Sequence, residues 1–144
     1  MNIEVQERKV ILIPNLKVGD FELGQSIQFY IENFKFQVEI ADEYEIPKWD
    51  IYSLEAEGLE LYVEDNIIVS IACRKDLILN NLQLIGGSVS AVMNKLNLEY
   101  DDKDAIYLNE EDEAHDVYEF TPLGLQVWEK NNVIDCVFCY KNDD

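Results

Sequence analysis

The sequence predicts an α+β domain in which a short helix and an antiparallel meander of three to four strands occur twice. The main observation is an internal repeat, because residues 50–73 align without a gap with residues 116–139 at a shift of 66. Seven of these 24 aligned pairs are identical: Asp50/Asp116, Tyr52/Tyr118, Gly58/Gly124, Leu59/Leu125, Asn66/Asn132, Ile68/Ile134 and Cys73/Cys139. A second match, at a shift of 62, joins the tetrapeptides that begin at Gly24 and Gly86. We therefore expect a single domain over residues 1–144, with an N-terminal strand in 1–15 and repeats at about 16–78 and 79–144.

The small size of each repeat predicts how the two are arranged. A unit of roughly 65 residues buries too little apolar surface to be stable alone. We therefore expect the halves to share one curved antiparallel sheet, with both helices on one face. The other face is then left for solvent or for a partner.

The first half begins with β-branched residues that predict an opening strand over 3–14, which we expect to pair with an edge of the sheet. An extended piece over 20–23 ends at Gly24, and Ser26 is a suitable N-cap for a helix over 27–34. Alternation of apolar and polar residues then predicts strands over 36–40, 50–54, 59–63 and 67–73. Residues 64–66 form a tight turn between the last two strands.

The second half follows the same order. An extended piece over 82–85 is broken by two glycines, and Ser88 is the expected N-cap of a helix over 89–96. The predicted strands are 105–108, 116–120, 125–129 and 133–140. The repeated asparagines and glycines mark turn positions that need a positive φ, so we do not interpret them as ligand contacts.

The charge of the chain limits its partners. Eleven basic residues against 30 acidic residues give a formal net charge of -19. Nucleic acid is excluded because phosphates need lysine and arginine, and anionic membrane surfaces repel such a protein. A basic protein is attracted. The alternative is that the acidic surface only maintains solubility.

Location and cysteine use are consistent with the cytoplasm. The N-terminal residues lack the basic start and long apolar core of a secretory signal, and no apolar run is long enough to span a bilayer. Three cysteines are a poor disulfide framework. Cys136 and Cys139 form a C-x-x-C motif, but positions three apart in a strand point to opposite faces. We interpret all three cysteines as core residues.

Catalytic and metal chemistry have little support in the sequence. His115 is the only histidine, and we place it in an acidic loop without a neighbouring nucleophile. Gly86-Gly87 lacks the remainder of a phosphate-binding loop, and the acidic runs lack the spacing of a calcium loop. We therefore expect no enzyme activity, no cofactor and no metal. Three readings of the acidic runs stay open: a solvated loop, a cation site, or recognition of a basic partner.

Two resemblances suggest what such a scaffold does. The segments Leu23-Gly24-Gln25-Ser26-Ile27 and Ile85-Gly86-Gly87-Ser88-Val89 resemble the repeat opening of the β-lactamase inhibitor protein and of related outer-membrane assembly lipoproteins. This resemblance implies a tandem helix-and-meander fold that binds other proteins. In size and charge the chain also resembles immunity proteins of contact-dependent or polymorphic toxin systems, several of which block a basic nuclease.

We therefore expect a non-enzymatic immunity protein that neutralises a basic toxin by occupying its active surface. Carboxylates attract the partner, and aromatic residues without a repeat counterpart anchor it. The expected partner-binding residues are Asp42, Glu43, Tyr44, Glu45, Trp49, Asp101, Asp102, Asp104, Tyr107, Glu110, Glu111, Asp112, Glu113 and Asp116. Tyr52/Tyr118 and Tyr62/Trp128 are expected to cover the sheet. The alternatives are an adaptor for a basic protein and a small-ligand or cation-binding domain.

Overall fold

The computed structural model describes residues 9–107 and 114–142, and in this part of the chain the fold is mostly antiparallel sheet with two helices. The strands are β1 Leu12–Ile13, β2 Lys17–Val18, β3 Phe21–Glu22, β4 Gln37–Glu39, β5 Asp50–Leu54, β6 Leu59–Glu64, β7 Ile67–Cys73, β8 Ile78–Leu79, β9 Leu82–Gln83, β10 Asp102–Ile106, β11 His115–Phe120, β12 Leu125–Lys130 and β13 Val133–Tyr140. The helices are α1 Gln28–Ile31 and α2 Val89–Leu96, and single 3-10 turns occur at Glu55–Glu57 and Thr121–Leu123.

Eight of the strands form one large sheet in the order β10-β11-β12-β13-β7-β6-β5-β4. Every neighbouring pair is antiparallel, and the contact between β13 and β7 lies at the centre. Two smaller sheets accompany it, β1-β2-β3 and β8-β9. In the described part of the predicted opening strand, β1 pairs with β2 rather than with an edge of the large sheet, and Ile11 forms a parallel bridge with Ile78. Residues 3–8 of that predicted strand lie outside the described residues.

The tight turns explain the repeated asparagines. Asp65 and Asn66 have φ angles of 50° and 67°, and Asn131 and Asn132 have angles of 53° and 64°. Two consecutive left-handed residues are typical of the two-residue hairpin turn whose twist matches that of antiparallel strands. The predicted turn positions are therefore confirmed.

The core lies on one side of the large sheet. A single cluster of buried side chains contains Leu61 and Val137 from the sheet together with Tyr30 of α1 and Val92 of α2. The buried apolar residues of the small strands, Leu12, Val18, Phe21 and Leu79, belong to the same cluster. Both helices and the small sheets thus supply buried side chains to the same face of the large sheet.

The two helices differ in length and in how they begin. In α2 the hydroxyl of Ser88 accepts a hydrogen bond from the backbone N–H of Ala91 at 3.2 Å, which confirms the predicted cap and the bounds 89–96. The predicted helix over 27–34 is shortened to four residues. The predicted cap at Ser26 is wrong, because Ile27 precedes α1 and no side chain caps this helix; the Ser26 hydroxyl accepts only a 3.3 Å contact from the N–H of Gln28. The ring of Phe34 instead packs against Phe21, with 4.8 Å between centroids.

All three cysteines are buried and free. Cys73 and Cys139 belong to the core cluster, whereas Cys136 is buried on the opposite face of the sheet. Burial raises the pKa of Cys73 to about 12 and that of Cys136 to about 11. These thiols are protonated at neutral pH, which fits a packing role.

Among the described residues, neither helix has the length and apolar character needed to cross a membrane.

Candidate functional site

The candidate site is the outer face of the large sheet, by which we mean the side opposite the helices and the core cluster. Side chains at facing positions of neighbouring strands share a face. The register therefore assigns to the outer face one row that crosses all eight strands: Asp102, Glu119, Gln126, Phe138, Ala72, Glu60, Ser53 and Gln37.

Aromatic rings in mutual contact run along this face, and we call them the aromatic row. The centroid distances are 5.7 Å for Trp49 and Tyr62, 6.0 Å for Tyr62 and Phe138, 5.8 Å for Phe138 and Trp128, and 5.6 Å for Trp128 and His115. All but His115 are partly exposed. Four aromatic side chains are thus accessible to a partner on a face to which neither helix supplies a buried residue.

The aromatic row stands over small residues of the central strands. Ser70, Ala72 and Cys136 lie on the outer face by register, yet each is buried. The large rings pack against one another and against the small residues beneath them, and this packing restricts their movement. The row is therefore a preformed surface.

A hydrogen-bonded network fixes the polar groups at one end of the row. The indole N–H of Trp128 donates to the side-chain oxygen of Gln126 at 2.7 Å, and the Gln126 amide donates to the carboxylate of Glu119. The hydroxyl of Tyr140 donates to the other oxygen of Glu119 at 3.1 Å. Burial and the charge of Glu119 raise the pKa of Tyr140, so this hydroxyl stays a donor at neutral pH.

At the other end of the row, a carboxylate forms an ion pair with an arginine. The Arg74 guanidinium donates to the carboxylate of Glu60 at 2.7 Å. Burial, followed by the charge of Glu60, raises the pKa of the neighbouring Tyr62. One carboxylate of the cross-sheet row is therefore paired within the molecule.

The predicted carboxylates near β10 differ in their surroundings. Asp102 and Asp104 are exposed on the outer face, at the facing positions of Glu119 and Val117. Asp101 instead accepts a 2.7 Å hydrogen bond from the N–H of Thr121. Hydrogen bonds from Thr121 also lower the pKa of Asp101.

Asp116 lies on the core side of the sheet, facing Glu129 across the ladder. The remaining carboxylates of this predicted group, Glu110, Glu111, Asp112 and Glu113, lie outside the described residues.

The predicted loop at Asp42, Glu43, Tyr44 and Glu45 is exposed and lies between β4 and β5. Tyr44 is 84% exposed and makes no ring contact among the described residues. Tyr107, directly after β10, is 69% exposed. Of the predicted aromatic anchors, only Trp49 joins the aromatic row.

His115 is placed differently from the prediction. It is the first residue of β11 rather than part of a loop, and it is 6% exposed. Its Nε2 atom lies 2.7 Å from a carboxylate oxygen of Asp135. Its Nδ1 atom is buried and has no partner among the described residues.

Sequence reasoning also missed Glu119, Gln126 and Phe138. The alternation of residues in β12 could have indicated two outward-facing positions. Because Leu125 and Val127 point into the core, Gln126 and Trp128 must point outward. Facing positions in β11 and β13 then place the other two residues on the same face.

The outer face offers groups that can bind another molecule. The accessible groups are aromatic faces and carboxylates, which accept cations and hydrogen-bond donors. Within residues 9–107 and 114–142, no group of three histidine, cysteine or acidic side chains is arranged to hold a metal ion.

No protein-family model, curated protein or solved structure matches this chain.

Proposed function

We propose that the protein is a non-enzymatic, cytoplasmic immunity protein that binds a basic toxin domain and blocks it by covering its active surface. The observation that carries this proposal is the aromatic row on the outer face, bordered by carboxylates in a chain of charge -19. Aromatic anchors inside a polar rim are typical of protein interfaces. The Arg74 guanidinium at this surface is paired with Glu60, and a chain of charge -19 repels the phosphates of nucleic acid and of an anionic membrane.

Two kinds of residue have separate tasks in this proposal. Trp49, Tyr62, Trp128 and Phe138 contact the partner and determine the dissociation rate, because buried anchors dominate binding energy. The exposed carboxylates at 42–45 and at Asp102 and Asp104 attract the partner and determine the association rate. The predicted roles of residues 110–113 belong to this second group.

We further propose that the scaffold is an internal duplication whose halves share the large sheet. Equivalent backbone hydrogen bonds support this proposal. The carbonyl of Ile68 accepts from the N–H of Gly24, and the N–H of Ile68 donates to the carbonyl of Gln25. In the second half the carbonyl of Ile134 accepts from the N–H of Gly86, and the N–H of Ile134 donates to the carbonyl of Gly87. Register shifts also occur at equivalent places, between Tyr62/Val63 and Trp128/Glu129. A continuous outer face would follow from such a duplication.

A second candidate function is binding of a small ligand. A cleft of about 610 Å³ lies beside β1 and β3, away from the outer face, and it is lined by Lys9, Lys17 and Lys75, by Asp20, Glu57 and Asp76, and by apolar side chains. This candidate predicts that a small amphiphilic molecule raises the melting temperature. The Lys75 ammonium already donates to the carbonyl of Ala56 at 2.9 Å, so we rank protein binding first.

The direct test is to co-express the untagged chain with the product of the neighbouring gene in its source genome. Gel filtration and mass spectrometry should then detect a one-to-one complex with a basic protein that is toxic alone. A double variant, Trp128→Ala with Phe138→Ala, should lose the complex while remaining folded. A chain that elutes alone, or a variant that binds as well as the parent, would contradict the proposal.

A further inference from the structure

The Glu119 carboxylate on the outer face is held in position, but its charge is not matched. Gln126 and Tyr140 donate to its two oxygens, and both donors are neutral. Among the described residues, no lysine or arginine forms an ion pair with it. A carboxylate that is oriented without being neutralised is suited to receive a cation from another molecule.

A second carboxylate increases the negative charge at this point. Asp102 occupies the facing position on β10, so two like charges lie directly opposite each other on one sheet face. Pairs of like charge at facing positions destabilise a sheet. Asp104, two residues after Asp102 on β10, adds a further negative charge on the same face. A bound cation would remove this repulsion.

The other half of the sheet shows which cation fits such a position. There, Glu60 lies in the same cross-sheet row and pairs with Arg74 at 2.7 Å, beside the ring of Tyr62. The repeat shift of 66 places Tyr140 at the position equivalent to Arg74, and Trp128 at the position equivalent to Tyr62. At the same shift Gln126 stands at the position of Glu60, so the second half keeps the aromatic ring, has Tyr140 in place of the arginine, and carries its carboxylate on the neighbouring strand, at Glu119.

The neighbouring aromatic surface favours a guanidinium over an ammonium. The Trp128 indole is joined to Glu119 through Gln126, and the Phe138 ring lies 5.8 Å from Trp128. A guanidinium stacks on aromatic faces and donates two parallel hydrogen bonds to a carboxylate, whereas an ammonium acts as a point charge. We propose that Glu119, Asp102, Trp128 and Phe138 form a binding site for an arginine side chain of the protein partner.

This inference deepens the proposed function and is tested without the natural partner. The probes are two capped pentapeptides, Gly-Arg-Gly-Arg-Gly and Gly-Lys-Gly-Lys-Gly, which carry equal charge. Each is titrated into the full chain labelled with ¹⁵N while the indole N–H signal of Trp128 is followed by NMR. The signal is assigned with a Trp49→Phe variant. We expect the arginine peptide to shift it and to bind about fivefold or more tightly than the lysine peptide.

Two variants locate the effect. Glu119→Gln should weaken binding of the arginine peptide about fivefold or more, and Glu32→Gln, which removes an equal charge beside α1, should change it less than twofold. If Glu119→Gln loses the dispersed spectrum of the folded chain, Phe138→Leu tests the stacking surface instead. Equal affinity for the two peptides, or an unmoved Trp128 signal, would overturn the inference. A basic partner that still co-purifies in that case would leave the proposed function intact.

Discussion

Gly124 is the residue whose replacement the backbone tolerates least. Its φ angle is 63°, and a Cβ atom placed on it would lie 2.0 Å from the carbonyl oxygen of Tyr140. Gly58 has a similar φ of 68°, and a Cβ atom placed on it would lie 2.6 Å from Cγ of Lys75 and 3.0 Å from the backbone nitrogen of Lys75. The two repeat-equivalent glycines therefore have unequal steric surroundings.

We predict that Gly124→Ala lowers the free energy of unfolding by about 3 kcal/mol or more, because left-handed strain adds to a clash with backbone. Gly58→Ala should cost less, roughly 1–2 kcal/mol, since the closest contact of the added Cβ atom is with a side chain and its backbone contact is 3.0 Å rather than 2.0 Å. Urea denaturation of both variants compares them directly. Equal losses would show that the contact with Tyr140 does not contribute.

The thiols give a prediction about reactivity and pH. Burial raises the pKa of all three cysteines, to about 12 for Cys73 and about 11 for Cys136. A thiol reagent at pH 8 should therefore modify the cysteines only as fast as the chain unfolds and exposes them. Because the folded pKa values lie above the unfolded value of about 8.5, the stability that these thiols contribute is complete below about pH 8.5 and is lost as the pH rises from there through the folded values of about 11 and about 12. Rapid modification of Cys136 at pH 8 would contradict this placement.

At the scale of elements, sequence signals with a local physical cause predicted the structure well. The N-cap at Ser88 and the alternation in β6, β7, β12 and β13 depend on near neighbours, so the sequence indicates them. The shortened α1 and the β1-β2-β3 sheet depend on aromatic packing around Phe21 and on pairing within residues 12–22. Which strand or ring a segment packs against depends on residues distant in the chain, so the periodicity of one segment does not indicate it.

The candidate site was predicted in part for the same reason. Trp49 and the carboxylates of β10 were recognised by residue type and charge. Glu119 and Gln126 have common residue types, and only the strand register shows that they face the same side. Register is a property of paired strands, so reading one segment at a time does not find it.

The serines that precede the two helices provide a matched prediction. Ser88→Ala should lower the free energy of unfolding by about 1 kcal/mol, because the hydroxyl satisfies an N–H at the start of an eight-residue helix. Ser26→Ala should cost clearly less, since its contact is 3.3 Å long and α1 has only four residues. Thermal or urea unfolding measures both. A larger loss for Ser26→Ala would contradict the capping geometry described for the two helices.

At the scale of the whole molecule, the charge of -19 predicts how the partner arrives. The association rate with a basic partner should fall about tenfold or more between low and high salt, with a smaller change in dissociation. Replacing Glu110, Glu111, Asp112 and Glu113 together by serine should slow association at low salt and leave the fold intact. Stopped-flow kinetics measures the association rate. An unchanged association rate at low salt would show that these four residues do not attract the partner.

The central claim is that the outer face is the binding surface, and the two tryptophans test it directly. Trp49 and Trp128 are the only tryptophans of the chain, and both belong to the aromatic row. The most direct measurement is ¹⁹F NMR of the chain labelled with 5-fluorotryptophan, recorded alone and with its unlabelled partner. The account predicts that both resonances shift on binding and become less accessible to a soluble paramagnetic agent. A complex that forms while both resonances stay unchanged would contradict it.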